Sequence, residues 1–319
     1  MSGVIHQDLV KPKTILFAAE FPINENVFAV ALAQASEFGS GLIIFHAYQH
    51  PDQAKSEIPV ASQYDYAQAR VEKRRFEPLC QRARTLGLRC GVIVRQGLAA
   101  EQILAFLSVR KIDRVIMGTH TPGPVGKLLV GSVAEAVLRS ANIPVCMVSP
   151  SVVESTYRNP QTRNILCDVS NQKADNVVAI FGANLAAASN AILILHRVIR
   201  PLERTEILAD RSIAEMETEL TSLVPINLQN QIRMRTRIAL ADPTEELLFQ
   251  GRSQHANLIV LSAQGASKFA AISRSGSVYK VLAWAHCPVI ALPPLVLAEV
   301  GVQENKLQTS EVNYLAGVI

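Results

Sequence analysis

The sequence predicts an α/β fold built twice, each time as a parallel sheet whose strands alternate with helices on both faces. Three observations carry this expectation. Apolar runs rich in Ile, Val and Leu alternate with helical stretches several times over, and runs apolar on both faces belong to parallel strands covered on two sides. The same order of segments recurs along the chain at a nearly constant offset, which marks a duplicated domain rather than a short solenoid repeat. Finally, 319 residues with 49% hydrophobic and 18% charged content suffice for two cores.

In the first half the strands fall near 14 to 19, 41 to 47, 90 to 95, 113 to 117 and 144 to 149. The helices fall near 25 to 38, 65 to 86, 99 to 110 and 132 to 141. Pro78 lies inside the second helix and is expected to kink or shorten it. Ser132-Val-Ala-Glu135 reads as a capping box, with Gly131 permitting the turn before it.

The second half follows by offset. GLIIFHAY contains His46 and AILILHRV contains His196, 150 residues apart, and the first strands at Thr14 and Asn164 share that offset. Later segments repeat at 144: Asp113-Arg-Val-Ile-Met with Asn257-Leu-Ile-Val-Leu, and Ile143-Pro-Val with Cys287-Pro-Val. The first half is therefore expected to be six residues longer between its second and third strands. Asp242-Pro243-Thr-Glu245 is read as another helix start, with Pro at the first helical position. The expected division is 1–150, a polar linker 151–161 containing Pro160, 162–295, and a C-terminal tail 296–319.

Between the fourth strand and the last helix of the first half lies MGTHTPGPVGKLLVGSVAE, residues 117 to 135. It is not a P-loop, because Thr121 stands where the first Gly belongs and Leu128 where the Mg²⁺ hydroxyl belongs. Nor is it a dinucleotide fingerprint, which belongs to the first strand-to-helix turn of a unit. Ser132 and the amides around it can cap a helix or face an anion.

Other chemistries find little support. The net charge of +4 is spread along the chain and aromatics are only 5%, so no nucleic-acid stacking platform is expected. The N-terminus does not resemble a secretory signal and no apolar run is long enough to span a membrane. Five cysteines without C-x-x-C spacing read as reduced thiols in a cytoplasmic protein. The seven histidines show no metal-binding helical spacing, so no metal site is expected. No G-x-S-x-G elbow with its partners is found, so no catalytic residues are assigned. His46 and His196 are expected to be satisfied core or rim residues.

One pattern ties these segments together. Gly118, Thr121 in place of a second Gly, nine residues from Pro122 to Val130, and Gly131-Ser132 before a helix that leads to a Pro-Val strand resemble the universal stress protein family. ILFAAEFP resembles that family's first strand, with Glu20 in place of the usual Asp, and IIFHAY its second, with Ala47 at the adenine-contacting position. The resemblance covers 14 to 149 and again 163 to 293, as a tandem member.

The resemblance implies two repeated flavodoxin-like (Rossmann-like) domains, each a five-stranded parallel sheet with helices on both faces. It implies an adenine-nucleotide site in the first, taking ATP with or without Mg²⁺, and a stress-response regulatory role. Ala18 and Ala47 would leave room for the base, Glu20 would accept from ribose or adenine, and Met117 and Gly118 would let the chain pass close to the ligand. Thr121 would lie in the loop, while Gly131, Ser132 and Val133 would offer amides and a hydroxyl to phosphates, with His120 and Lys127 nearby. Thr121 resists the positive φ that Gly permits, and Pro122 and Pro124 remove loop amides.

The second half departs further. Ser170 stands at the acid position, Asp168 and Arg197 at small or apolar positions, where they are expected to pair, and Ser262 and Ser275 at glycine positions, leaving Gly265 and Gly276-Ser277. A degenerate second site is implied. Family members pair through their last strands, here Val145 to Val148 and Val289 to Leu292, giving an internal pseudo-dimer. A further homodimer stays open. So does a non-nucleotide-binding interaction module of the same family; a nucleotide-using enzyme such as an adenylyl transferase has the missing catalytic groups against it, and ATP hydrolysis is expected to be at most slow and incidental.

Overall fold

The structure, a computed structural model, describes residues 7–49, 63–119, 130–152, 164–170, 174–201, 212–264 and 277–297. The strands are β1 (Thr14–Ala18), β2 (Gly41–Tyr48), β3 (Cys90–Gln96), β4 (Arg114–Gly118), β5 (Val145–Val148), β6 (Asn164–Asp168), β7 (Ile192–Ile199), β8 (Arg233–Leu240), β9 (Leu258–Ser262) and β10 (Val289–Leu292). The helices are α1 (Gln7–Val10), α2 (Glu25–Phe38), α3 (Gln63–Thr85), α4 (Ala99–Val109), α5 (Ser132–Ser140), α6 (Asp175–Ser189), α7 (Ile213–Ser222), α8 (Ile226–Gln229), α9 (Pro243–Ser253) and α10 (Ser277–Trp284).

All ten strands join one sheet in the order β3-β2-β1-β4-β5-β10-β9-β6-β7-β8. Each run of five is parallel, and its order is that of a doubly wound Rossmann-like sheet. The two runs meet where β5 pairs antiparallel with β10, Cys146 opposite Ile290. Burial explains the composition of the strands: β4, β5, β9 and β10 are buried almost throughout, whereas edge strand β8 alternates exposed Arg233, Arg235 and Arg237 with half-buried Met234 and Thr236. One core packs α2, α3 and α6 on one face, and a second packs α4, α5, α9 and α10 on the other. Among the described residues no helix is long and apolar enough to cross a membrane.

Several local expectations are corrected. Pro78 does not shorten α3, which runs through it to Thr85; Pro78 and Arg74, whose carbonyl loses its N–H partner, are both exposed, so that carbonyl is open to water. Ser132 is the first residue of α5 rather than its cap. Gly131 takes the cap position with φ −63° and ψ 154°, and its N–H donates to the Thr119 carbonyl at 3.1 Å, so the helix starts one residue later and the expected box does not form. A complete capping box occurs instead at Ser212 and Glu215. Asp242 caps α9 by accepting from the Thr244 and Glu245 amides, ahead of Pro243.

The repeat offset is also corrected. Ala18 pairs with Phe45 and Asp168 with His196, so β7 matches β2 at an offset of 151 (196 − 45), one more than the offset between β1 and β6 (168 − 18 = 150). Leu42 pairs with Cys90 and Leu193 with Met234, so β8 matches β3 at 144 (234 − 90). The excess between second and third strands is therefore seven residues (151 − 144), not six. His196 corresponds to Phe45, and Arg197 to His46. Because side chains alternate along a strand, this slip of one exchanges the two faces.

Candidate functional site

The first sheet order places β1 beside β4, while the chain between them travels outward through β2 and β3. Connections leaving β1 and β4 therefore diverge, and a crevice opens at the carboxyl ends of the strands. A cleft of about 130 Å³ occupies this place. Ala18 ends β1, Ala47 lies near the end of β2, Met117 and Gly118 end β4, and Gly131 and Val133 lie at the start of α5; all of them line the cleft together with exposed Glu20. Ser132 is exposed and is not among the lining residues. Thr121 lies outside the described residues, as do His120, Pro122, Pro124 and Lys127.

The cleft adds walls that the sequence reading did not select: Phe45, Val27, Ile103 and Ala99, with Asn24 and His46 at the polar side. Phe45 had a signal in the sequence, being two residues from Ala47 on the same face of β2. Val27 and Ile103 come from α2 and α4 and join only in three dimensions. Gly118 packs closely, since a Cβ there would lie 3.3 Å from Val27 Cγ2, which would have to yield by a few tenths of an ångström. The Gly131 amide is already engaged by Thr119, which removes it from the donors expected to face an anion. The amides of Ser132, Val133 and Ala134 occupy the first turn of α5, where no intrahelical acceptor exists.

His46 is a satisfied residue at the rim. Its Nδ1 lies 2.9 Å from the Ala19 carbonyl oxygen, its ring packs 4.7 Å from Phe76, and Nε2 is 3.9 Å from Glu72 Oε2. Glu72 is buried and also takes Arg75 Nη1 at 3.0 Å.

Comparison with known proteins agrees with this architecture. A family model described as the universal stress protein family matches residues 12–149. A Thermus aquaticus protein named universal stress protein in QAH/OAS sulfhydrylase 3′ region is 34% identical over 137 residues, covering 43% of this chain and 98% of that protein. The chain belongs to the universal stress protein family. A solved universal stress protein from Archaeoglobus fulgidus superposes with a TM-score of 0.64 at 16% identity, over 88% of this chain and 98% of that one. A functionally unknown protein, PA1789 of Pseudomonas aeruginosa, gives 0.62 at 14% identity, over 94% and 99%. At such identities these two likenesses concern the fold alone.

In the second half of this universal stress protein the equivalent positions carry different chemistry. Asp168 takes the place of Ala18, Ser170 of Glu20, His196 of Phe45, Val198 of Ala47 and Ser262 of Gly118, by the register offsets above. Ser170 Oγ accepts from the Val198 amide at 2.9 Å. The expected Asp168–Arg197 pairing is not found. Arg197 donates instead to the Val169 carbonyl, Glu219 and Asp175 at 3.0–3.1 Å. It sits on the opposite face from Asp168 because it corresponds to His46, whose own contact is the Ala19 carbonyl. Ser275, Gly265 and Gly276 lie outside the described residues. Among the described residues no group of three or more His, Cys, Asp or Glu side chains is placed to hold a metal ion.

His196 departs from the expectation of a satisfied core residue. It is fully buried, and neither ring nitrogen has a hydrogen-bond partner among the described residues. Burial lowers its pKa from 6.5 to about 4, while burial raises that of its register partner Asp168 from 3.8 to about 6. The signs oppose. Between pH 6.5 and 4 the unfolded His binds more protons than the folded one, so acidification removes stability; between pH 6 and 3.8 the folded Asp binds more, so acidification adds it. The pair therefore offsets itself in the parent. Separate variants expose each part: from pH 7 to 5, relative to the parent, Asp168→Asn is expected to lose roughly 1 kcal/mol and His196→Phe to gain about 2 kcal/mol. Urea unfolding at the two pH values checks this, and parallel responses in both variants would refute the assignment.

Proposed function

We propose that this protein is a stress-response regulator that binds an adenine nucleotide, ATP, in the first-half cleft and responds to it by a change of shape or partner affinity rather than by turnover. Residues 1–150 and 162–295 act as two domains joined by 151–161 and followed by the tail 296–319, and they pair through β5 and β10 as an internal pseudo-dimer in the cytoplasm.

The observation that carries this reading is convergence. Seven residues selected from three separate stretches of sequence line one cleft at the carboxyl ends of parallel strands. The cleft suits the ligand chemically. Small Ala18 and Ala47 beside apolar Phe45, Val27 and Ile103 form a slot for a flat base, and Glu20 at the rim is an acceptor for ribose or adenine hydrogens. The first-turn amides of α5 and its helix dipole favour phosphate oxygens, with Val133 on the cleft wall. Mg²⁺ would neutralise the phosphates it accompanies.

Calorimetric titration of the full chain, stripped of nucleotide, with ATP and Mg²⁺ tests the reading. Saturation near one ATP per chain is expected. Ala47→Trp, which fills the slot, is expected to weaken binding at least about 100-fold while the unfolding midpoint stays near that of the parent. Absence of heat, together with no competition against a fluorescent ATP analogue, would leave an interaction module without nucleotide.

A further inference from the structure

The segment FEPLCQRARTLGLRC brings two cysteines to the junction of α3 and β3. Cys80 and Arg84 are one helical turn apart on the same face of α3. After Thr85 the chain reverses sharply: the Gly87 amide bonds the Arg84 carbonyl at 2.8 Å, the Leu88 amide bonds the Ala83 carbonyl at 3.1 Å, and Gly87 adopts φ +79°. Arg84 Nη2 then reaches the Cys90 carbonyl at 3.0 Å, tying the helix end to the first residue of β3. Cys80 is fully buried in the core, and Cys90 is partly exposed and packed against the same cluster. The two side chains are neighbours, the Cys80 thiol helping to hold the proton on Cys90. The Arg84 charge acts on both sulfurs while the same guanidinium pairs with Glu77 at 2.7 Å.

We propose that Cys80 and Cys90 are an oxidisable dithiol that closes to an intrachain disulfide in the folded protein. The remaining cysteines differ: Cys146, Cys167 and Cys287 are all fully buried, whereas this pair sets a buried cysteine beside a partly exposed one. A low-molecular-weight disulfide such as oxidised glutathione supplies the oxidant. Cys90 loses its proton to solvent, its thiolate attacks one glutathione sulfur, and the other leaves with the bonding electrons as a thiolate that takes up a proton. Cys80, deprotonated in turn, attacks the Cys90 sulfur of the mixed disulfide and expels the second glutathione. Two electrons pass from the protein dithiol to the reagent, which becomes two thiols. Burial and the neighbouring thiol hold the Cys90 pKa above its ordinary value, so the reaction is slow near neutrality and accelerates with pH. The bond would pin the end of α3 to an edge strand, at the opposite end of the strands from the cleft; its test is independent of nucleotide binding.

The experiment treats the native full chain with oxidised glutathione at several alkaline pH values, alkylates the remaining thiols, and digests with trypsin. Cleavage after Arg75, Arg82, Arg89 and Arg95 places the two sulfurs on separate peptides, Phe76–Arg82 and Cys90–Arg95. The expected result is a crosslink between these two peptides and an intact chain lighter by about 2 Da. Cys80→Ser and Cys90→Ser should each abolish that crosslink, with Cys80→Ser leaving a stable glutathione adduct on Cys90. Alkylation of every thiol, a mixed disulfide at Cys90 that persists in the parent, or a crosslink through Cys146, Cys167 or Cys287 would overturn the proposal.

Discussion

Arg114→Met is expected to destabilise the protein by roughly 2–4 kcal/mol, because it removes three charge-assisted hydrogen bonds, one buried and two part-buried. Arg114 begins β4 and is 1% exposed. Its Nη1 donates to Gln34 Oε1 at 2.9 Å, and Nη2 donates to the Leu9 and Val10 carbonyls at 3.1 and 3.2 Å. Burial lowers the Arg114 pKa to about 10, and the ring of Phe38 lies 5.6 Å away. The guanidinium holds down the N-terminal segment, which Asp113 also grips by accepting from the Lys13 and Thr14 amides. That segment matters beyond its own half, since α1 packs against α6. Met preserves much of the apolar packing of the side chain, so the loss isolates the hydrogen bonds rather than a cavity. A urea midpoint for Arg114→Met within about 0.5 kcal/mol of the parent would show that the segment is held by something else. Amide exchange of residues 7–13 gives an independent reading, as faster exchange there should accompany the global loss.

Gly182→Ala is expected to cost about 2–3 kcal/mol, although Ala is the better helix former by roughly 1 kcal/mol. Gly182 lies inside α6, and a Cβ there would overlap Cys167 Sγ and stand 3.1 Å from Leu193 Cδ1. Both neighbours belong to β6 and β7 and are fully buried, so neither can swing into solvent. Cys167→Ala removes the sulfur, after which the closest remaining part of residue 167 is its Cβ, 3.7 Å from the added methyl. The double variant should therefore be more stable than the two separate losses predict, by at least about 1 kcal/mol. Additive losses would mean that α6 shifts away from the sheet as a unit instead of meeting the sulfur.

Much of this molecule is determined by sequence alone. Nine of the ten strands follow from short apolar runs, the Arg-rich edge strand β8 being the exception, and the first four expected helices fall within a few residues of α2, α3, α4 and α5. The asparagine, serine and aspartate at the starts of α2, α7 and α9 act as caps through contacts spanning only two or three residues. Ala18, Ala47, Met117 and Gly118 are picked out by the resemblance to the universal stress protein family, and they line the cleft together because they lie at strand ends of a doubly wound sheet.

What the tertiary structure alone decides depends on contacts between distant segments. A one-residue change of offset leaves the apolar pattern of β7 recognisable, yet places His196 in the core where Phe45 stands and turns Arg197 toward Glu219 and Asp175. The fate of the Gly131 amide depends on Thr119, twelve residues earlier. Gly182 reads locally as a weak point in a helix but is required by a sulfur fifteen residues before it. Arg114 reads as a polar residue in an apolar strand until the carbonyls of Leu9 and Val10 arrive beneath it. Local sequence fixes periodicity and caps because those interactions span a few residues; strand register, buried partners and close approaches are set only when the whole sheet assembles and side chains on alternate faces meet their neighbours.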